Sequence, residues 1–356
     1  MDQRQTLLFL AVIFFSICIT KQGISQTPSR SFNSAFNNYF TKSHTLSLNL
    51  SDEVYLDKAV SIFKLGNRIF WGEEQRLSYF DKDGNIVKTK NIRGRGPGKV
   101  LDAIDYDYNS KGRISILDLS TQKIKIYDQD LNFIKEFLLD RNRSSKFALD
   151  NQNQSFTLNE LLFTFDALAI SKYDSAGSKI GSWGKIPKAG RLQRANEDGG
   201  GITTDDNGNV YYFYQGSHKI WKLDASTNSI SIFNNKPSYF KQIEDEKIKN
   251  AKRSKKLFYL GYEGTRVMGL YYLQPNIIIQ QMETGNPFIT PSEELNFYLE
   301  VWNTEGKKLA SKLQIPFPIA WTNADSIAIL KQYTSGLLEE SGNTEAFDIF
   351  QHNFGN

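Results

Sequence analysis

Short runs that alternate apolar and polar residues recur along this chain, and they predict strands. Lys123-Ile124-Lys125-Ile126 and Ser229-Ile230-Ser231-Ile232 alternate with period two, which points successive side chains to opposite faces of a sheet. Turn formers punctuate the runs at Asp83-Gly84-Asn85, Lys111-Gly112 and Asn207-Gly208-Asn209. A longer pattern is superimposed on this one. An aromatic or aliphatic residue, then Asp or Asn, then a turn, recurs at Phe80-Asp81, Tyr127-Asp128, Tyr173-Asp174, Leu223-Asp224 and Trp302-Asn303. The spacings are 47, 46, 50 and 79 residues, and Asp348-Ile349-Phe350 is a weaker sixth anchor. Short strands with frequent turns predict an all-β sandwich, barrel or propeller, and a unit of about 46 residues selects the propeller.

One unit carries a more specific signature. Gly94-Arg95-Gly96-Pro97-Gly98, Asp105 to Asp107, Lys111-Gly112-Arg113-Ile114, Asp118, Lys123-Ile124 and Tyr127-Asp128 together resemble an NHL-type propeller repeat. Asp206-Asn207-Gly208-Asn209-Val210-Tyr211, followed by Lys219-Ile220 and Leu223-Asp224, is a second, partial match. The pattern departs from that repeat at Leu117-Asp118, where a small residue usually precedes the Asp. The chain as a whole is similar to secreted bacterial six-bladed β-propellers with NHL-like repeats. The resemblance implies an all-β six-bladed propeller of four-stranded antiparallel blades. The blades are expected over about 52–92, 98–140, 141–186, 199–235, 255–316 and 318–354. The last lacks an obvious fourth strand, which alternating His44–Leu50 would supply, removing two open sheet edges. The alternative for that segment is a disordered linker.

The N-terminus reads as an address. Leu7–Thr20 is apolar for about fourteen residues after Arg4, too short for a bilayer-spanning helix of about twenty, and fits a signal peptide. Gly23-Ile24-Ser25 supplies small residues for cleavage after residue 25, which leaves no transmembrane segment in the mature chain. Residues 26–40, rich in Ser, Asn, Thr and Gln, are expected to be a flexible lead-in to a propeller over 41–356. The alternative is a lipoprotein anchored at Cys18, although Ile17 is larger than the residue that usually precedes a lipidated cysteine. Cys18 is the only cysteine, so the mature chain carries none and must be held by its core. An exported protein without disulfides fits a bacterial periplasm or surface.

The formal charge is +4, from 43 Lys and Arg against 39 Asp and Glu, but it is unevenly spread. The long gap before Trp302 contains about residues 237–256, free of Gly and Pro after Pro237, and predicts a helix inserted between blades 4 and 5. Lys241–Lys256 holds seven basic and three acidic residues. In a propeller the links between blades share one face with the second-to-third strand hairpins. That face would then carry Arg93, Arg95 and Lys99 of the glycine loop, Arg141 and Arg143, and Lys185, Lys188, Arg191 and Arg194. It would also carry Lys252 and Arg253 of the insertion. His218, in the fourth second-to-third hairpin, is expected on the same surface, and Trp71 and Trp321, near strand ends, are the expected sugar-stacking surfaces. A field of this kind would attract an anionic glycan, an envelope component or an acidic protein partner. Export disfavours nucleic acid.

Catalytic patterns are scarce. Gly98-Lys99 leads into Val100-Leu101 and a strand, not into the helix that a phosphate loop requires. There is no Gly-x-Ser-x-Gly elbow, and only three histidines are present. No catalytic or metal-binding residue is assigned, and no cofactor is expected. Calcium is the alternative that the resemblance implies, because six-bladed relatives include calcium-dependent hydrolases. Oxygen ligands for an axial site would come from Asp102, Asp105, Asp107, Asp205 and Asp206. The Asp205-Asp206-Asn207-Gly208-Asn209 run lacks the later Glu of an EF-hand and reads equally as a solvated turn. The reading is a binding module, with a propeller hydrolase or lyase as the alternative.

Overall fold

The computed structural model describes residues 31–354 apart from 50–58, 140–143, 160–167, 196–199, 252–253, 286–289, 291–293 and 332–343. The expected signal peptide over 1–25, Arg143, Lys252 and Arg253 lie outside the described residues.

The chain opens with α1 (Ser34–Asn37) and β1 (Phe40–Asn49). Blade 1 follows as β2 (Ser61–Leu65), β3 (Arg68–Gly72), β4 (Arg76–Phe80) and β5 (Ile86–Asn91). Blade 2 is β6 (Ala103–Tyr108), β7 (Ile114–Asp118), β8 (Lys123–Tyr127) and β9 (Phe133–Leu138). Blade 3 is β10 (Ser144–Leu149), β11 (Ser155–Asn159), β12 (Leu168–Tyr173) and β13 (Lys179–Lys185), followed by α2 (Gly190–Ala195). Blade 4 is β14 (Gly201–Thr204), β15 (Val210–Phe213), β16 (Ile220–Leu223) and β17 (Ile230–Phe233). After it come α3 (Asp245–Asn250) and α4 (Ser254–Gly261). Blade 5 is β18 (Arg266–Leu273), β19 (Ile277–Thr284), β20 (Asn296–Asn303) and β21 (Lys308–Ile315). Blade 6 is β22 (Ile319–Thr322), β23 (Ser326–Leu330) and β24 (Thr344–His352), with β1 as its outermost strand.

These are six four-stranded antiparallel sheets, and the first strand of each touches its neighbours in a closed ring about the axis. The middle strands, such as β7 and β11, are buried at every position, because each sheet packs both faces against the blades beside it, whereas the outer strand β5 is largely exposed. One apolar cluster lies at each blade junction. Phe70 and Ile116 meet between blades 1 and 2, Ile124 and Phe147 between 2 and 3, and Leu158 and Tyr212 between 3 and 4. Phe233 and Trp302 meet between blades 4 and 5, Val301 and Ile319 between 5 and 6, and Trp321 and Phe80 between 6 and 1.

The repeated anchors are the turns between the third and fourth strands of blades 1 to 5. In each, one side-chain oxygen accepts two backbone N–H groups of its own turn. Asp81 takes those of Asp83 and Asn85, Asp128 those of Asp130 and Asn132, and Asp174 those of Ala176 and Ser178. Asp224 takes those of Ser226 and Thr227, and Asn303 those of Glu305 and Lys307. A short side chain that mimics a backbone carbonyl is what this turn needs. The expected sixth anchor is different. Asp348 lies inside β24, where it pairs with Lys42 at 2.8 Å and accepts from Thr45 at 2.7 Å, both on β1. The fourth strand of blade 6 is β1 and does not follow β24 through a hairpin, so the carboxylate caps no turn and instead ties on the closing strand.

The N-terminal strand is ten residues long, and folded structure begins before it. Within the expected lead-in of residues 26–40, Ser34–Asn37 form α1, capped by Asn33 on the Phe36 N–H at 2.9 Å. Phe36 and Phe40 stack at 4.7 Å in the blade 5–6 core. The expected inserted helix is two short ones, separated at Ala251, whose backbone is extended.

Candidate functional site

The link from β5 to β6 is the glycine loop, and it is held from below. Asp118, fully buried, accepts the Leu101 and Asp102 N–H groups at 3.2 and 3.3 Å. The Lys125 ammonium donates to the Lys99 carbonyl, and the Tyr127 hydroxyl to that of Gly98 at 2.8 Å. The Lys99 side chain turns back to the Asn91 carbonyl at 3.0 Å. Gly98 has φ +64°, and a Cβ there would stand 2.6 Å from the Phe133 ring. The loop is therefore preorganised, with Arg93 and Arg95 both exposed and without a carboxylate partner among the described residues. Gly98→Ala is expected to lower stability by about 1–3 kcal/mol, from overpacking on top of a left-handed backbone, read as a fall in the urea midpoint.

The other links use their cations differently. Arg191 of α2 donates to the Ile248, Lys249 and Ala251 carbonyls at 2.9, 3.1 and 3.2 Å, closing the C-terminal end of α3. Lys188 stands 3.4 Å from Asp245. Lys247 and Lys249 lie 3.9 Å from Glu263 and Glu246. Leu192, Ile243, Ile248, Ala251, Leu257 and Leu260 form an apolar cluster that joins α2, α3 and α4 into a cap. Of the predicted basic surface, Lys99, Lys188 and Arg191 are thus paired within the chain.

His218 is a correction to the sequence reading. It is only 6 % exposed, edge-on to Phe240 at 5.4 Å, with Nε2 2.9 Å from the Asn234 side-chain oxygen. Burial holds its pKa below the ordinary histidine value, and the surrounding Lys219, Lys236 and Lys308 add to this. The insertion covers it, so it presents nothing to a ligand on the link face. Trp71 and Trp321 are likewise not open stacking surfaces. They are 5 and 4 % exposed and belong to the core between blades 6 and 1, where Trp321 packs edge-on to Phe347 at 4.6 Å.

The ring encloses an axial channel of about 910 Å³, lined by all six innermost strands. Its carboxylates have defined tasks. Asp105 accepts the Phe147 N–H at 3.0 Å and lies 3.5 Å from the Lys146 ammonium. Asp107 accepts the Leu149 N–H at 2.6 Å. Thr204 donates to the Leu149 carbonyl at 2.8 Å. The free edge of β10 is thus satisfied by side chains of both neighbouring blades. Asp205 accepts from its own turn, at Asn207 and Asn209, and from the Tyr211 hydroxyl at 2.9 Å. Asp206 accepts from the Tyr272 hydroxyl and the Gln274 amide, both at 3.0 Å. Asp102 meets the Ser120 hydroxyl at 3.5 Å. The five aspartates therefore do not form one ligand set, and among the described residues no group of three His, Cys, Asp or Glu side chains converges as a metal site.

Three tyrosines in the channel wall escaped the sequence reading. Tyr108 stacks on Phe63 at 4.9 Å and donates to the Thr322 carbonyl at 3.3 Å, spanning blades 2, 1 and 6. Tyr271 donates to the Ile319 carbonyl at 3.4 Å. Tyr272 reaches Asp206, as above. The signal available for them was position on an innermost strand, since a first-strand side chain faces either the axis or the next blade.

No family model and no curated protein matches this sequence. Among the described residues no helix is long and apolar enough to cross a membrane. The fold is similar to that of a DUF4221-family protein from Bacteroides vulgatus, with a TM-score of 0.64 and 12 % identity, over 88 % of this chain and 98 % of that one. It is also similar to a protein described as exported, from Bacteroides fragilis, with a TM-score of 0.60 and 13 % identity, over 90 % of this chain and 97 % of that one. At these identities the likeness concerns the six-bladed fold alone.

Proposed function

We propose that the chain is an exported recognition module that binds an anionic glycan, envelope polymer or acidic protein segment through the glycine loop. The observation that carries the reading is a rigid loop whose two arginines are exposed and lack a carboxylate partner among the described residues. Guanidinium groups suit carboxylate, sulfate or phosphate, and the fixed loop backbone beneath them limits the entropy lost on binding. The apolar N-terminal run and the likeness to an exported propeller support export. The alternative, a calcium-dependent hydrolase or lyase at the axis, finds less support, since Asp105 and Asp107 serve the edge of β10 and Asp205 serves its own turn.

Heparin, alginate and polyphosphate binding to the chain freed of residues 1–25 tests the proposal. Arg93→Ala with Arg95→Ala is expected to weaken binding about tenfold and to flatten its salt dependence. Silence toward all three polymers, or an unchanged affinity in the double variant, would sink the reading.

A further inference from the structure

We infer that the axial channel is a second site, for a small molecule bearing a protonated amine, with the ammonium group held by Asp107. The two channel carboxylates of β6 are not equivalent. Asp105 has its own cation, Lys146, at 3.5 Å. Asp107 receives only backbone N–H groups, those of Leu149 and Tyr108, and no cation stands beside it among the described residues. A carboxylate in a low-dielectric wall without a counter-charge is costly, and an incoming ammonium removes that cost. Burial and the neighbouring Asp105 accordingly push the Asp107 pKa up to about 7.

The surrounding wall fits the same ligand. Tyr108, Tyr271 and Tyr272 line the channel with their hydroxyls already engaged, and Phe63 covers one face of the Tyr108 ring. Aromatic faces attract a desolvated cation. The volume, about 910 Å³, lies within the range of small-molecule sites. The other ionisable groups of the wall are Lys64 on β2, Asp105 on β6, Lys146 on β10 and Asp205 and Asp206 at the end of β14. With four carboxylates against two lysines, one of them beside Asp105, the wall favours a cation.

Calorimetric titration with 2-phenylethylamine and with uncharged 2-phenylethanol tests the inference. The amine is expected to bind at least tenfold tighter than the alcohol. Its affinity should fall several-fold from pH 8 to pH 6 as Asp107 takes up a proton. Asp107→Asn should remove the preference for the amine, while Arg93→Ala with Arg95→Ala should leave it intact. Equal or absent binding of the two compounds, a flat pH profile, or an undiminished preference in a folded Asp107→Asn variant overturns the assignment. Should Asp107→Asn fail to fold, the pH profile and the alcohol comparison decide on the unaltered chain.

Discussion

Deleting residues 1–50 is expected to abolish cooperative folding of the propeller. The cut removes β1, and with it the outermost ladder of blade 6, in which Phe40 faces His352 and Asn49 faces Thr344. It also removes the seam to blade 1, where the Asn49 N–H donates to the Gly84 carbonyl at 2.7 Å and its side chain to Asn85 at 2.9 Å. Phe36, Phe40 and Leu48 are essentially fully buried. At about 1.5–3 kcal/mol for each large apolar side chain, their loss alone approaches the 5–15 kcal/mol by which a whole domain is stable. The surfaces they cover are exposed as well, and β24 becomes an unpaired edge open to aggregation. The truncated chain should bind a hydrophobic dye, melt without a sharp transition and form large species on gel filtration. A sharp melt within a few degrees of the full chain would show that the ring closes without this strand.

The parts of the fold that the sequence made legible are those that local chemistry determines. Asp81, Asp128, Asp174, Asp224 and Asn303 could be read because an Asx turn needs a short acceptor at one place, whatever lies around it. The spacing of those turns then sets the blade count. Asp348 misled because the same residue type in a strand follows no turn logic, and only the pairing of β24 with the distant β1 explains it. The two-helix form of the insertion was hidden for a similar reason. Its break at Ala251 is stabilised by Arg191, sixty residues earlier in the chain. Of the candidate site residues, Arg93 and Arg95 stand in the open. His218 does not, because loop position is visible in sequence whereas the Phe240 that covers it is a tertiary fact. Trp71 and Trp321 follow the ordinary rule that large aromatics fill the junction between blades. The unequal roles of Asp105 and Asp107 depend on which strand lies across the channel wall, and no local pattern encodes that.

Glu300→Ala is expected to cost about 3–5 kcal/mol, a large effect for a single side chain, because it breaks a buried charge pair from one side. Glu300 is fully buried on β20 and opposes two residues of β21, Ser311 and Lys312, where Leu299 pairs with Leu313 and Val301 with Ala310. This is a β-bulge, and Lys312 within it has φ +55°. The bulge turns the Lys312 N–H away from the ladder, and Glu300 accepts it at 2.9 Å. The same carboxylate accepts from Ser311 at 2.8 Å, from the Lys308 ammonium at 2.7 Å and from the Tyr239 hydroxyl at 2.8 Å. One side chain thus fixes the outer strand of blade 5 and the root of the inserted cap. Truncation leaves a nearly buried lysine without its counter-charge and three further donors without an acceptor. Glu300→Gln keeps the shape and some of the acceptors, so it should cost less than the alanine variant. If the uncompensated charge dominates, adding Lys308→Met to Glu300→Gln should recover part of the loss, whereas additive losses would place the energy in the bulge geometry instead. Urea unfolding of the four proteins separates these outcomes. An unchanged midpoint in Glu300→Ala would mean that water or a neighbouring side chain takes over all four hydrogen bonds, which the tight burial of the site argues against.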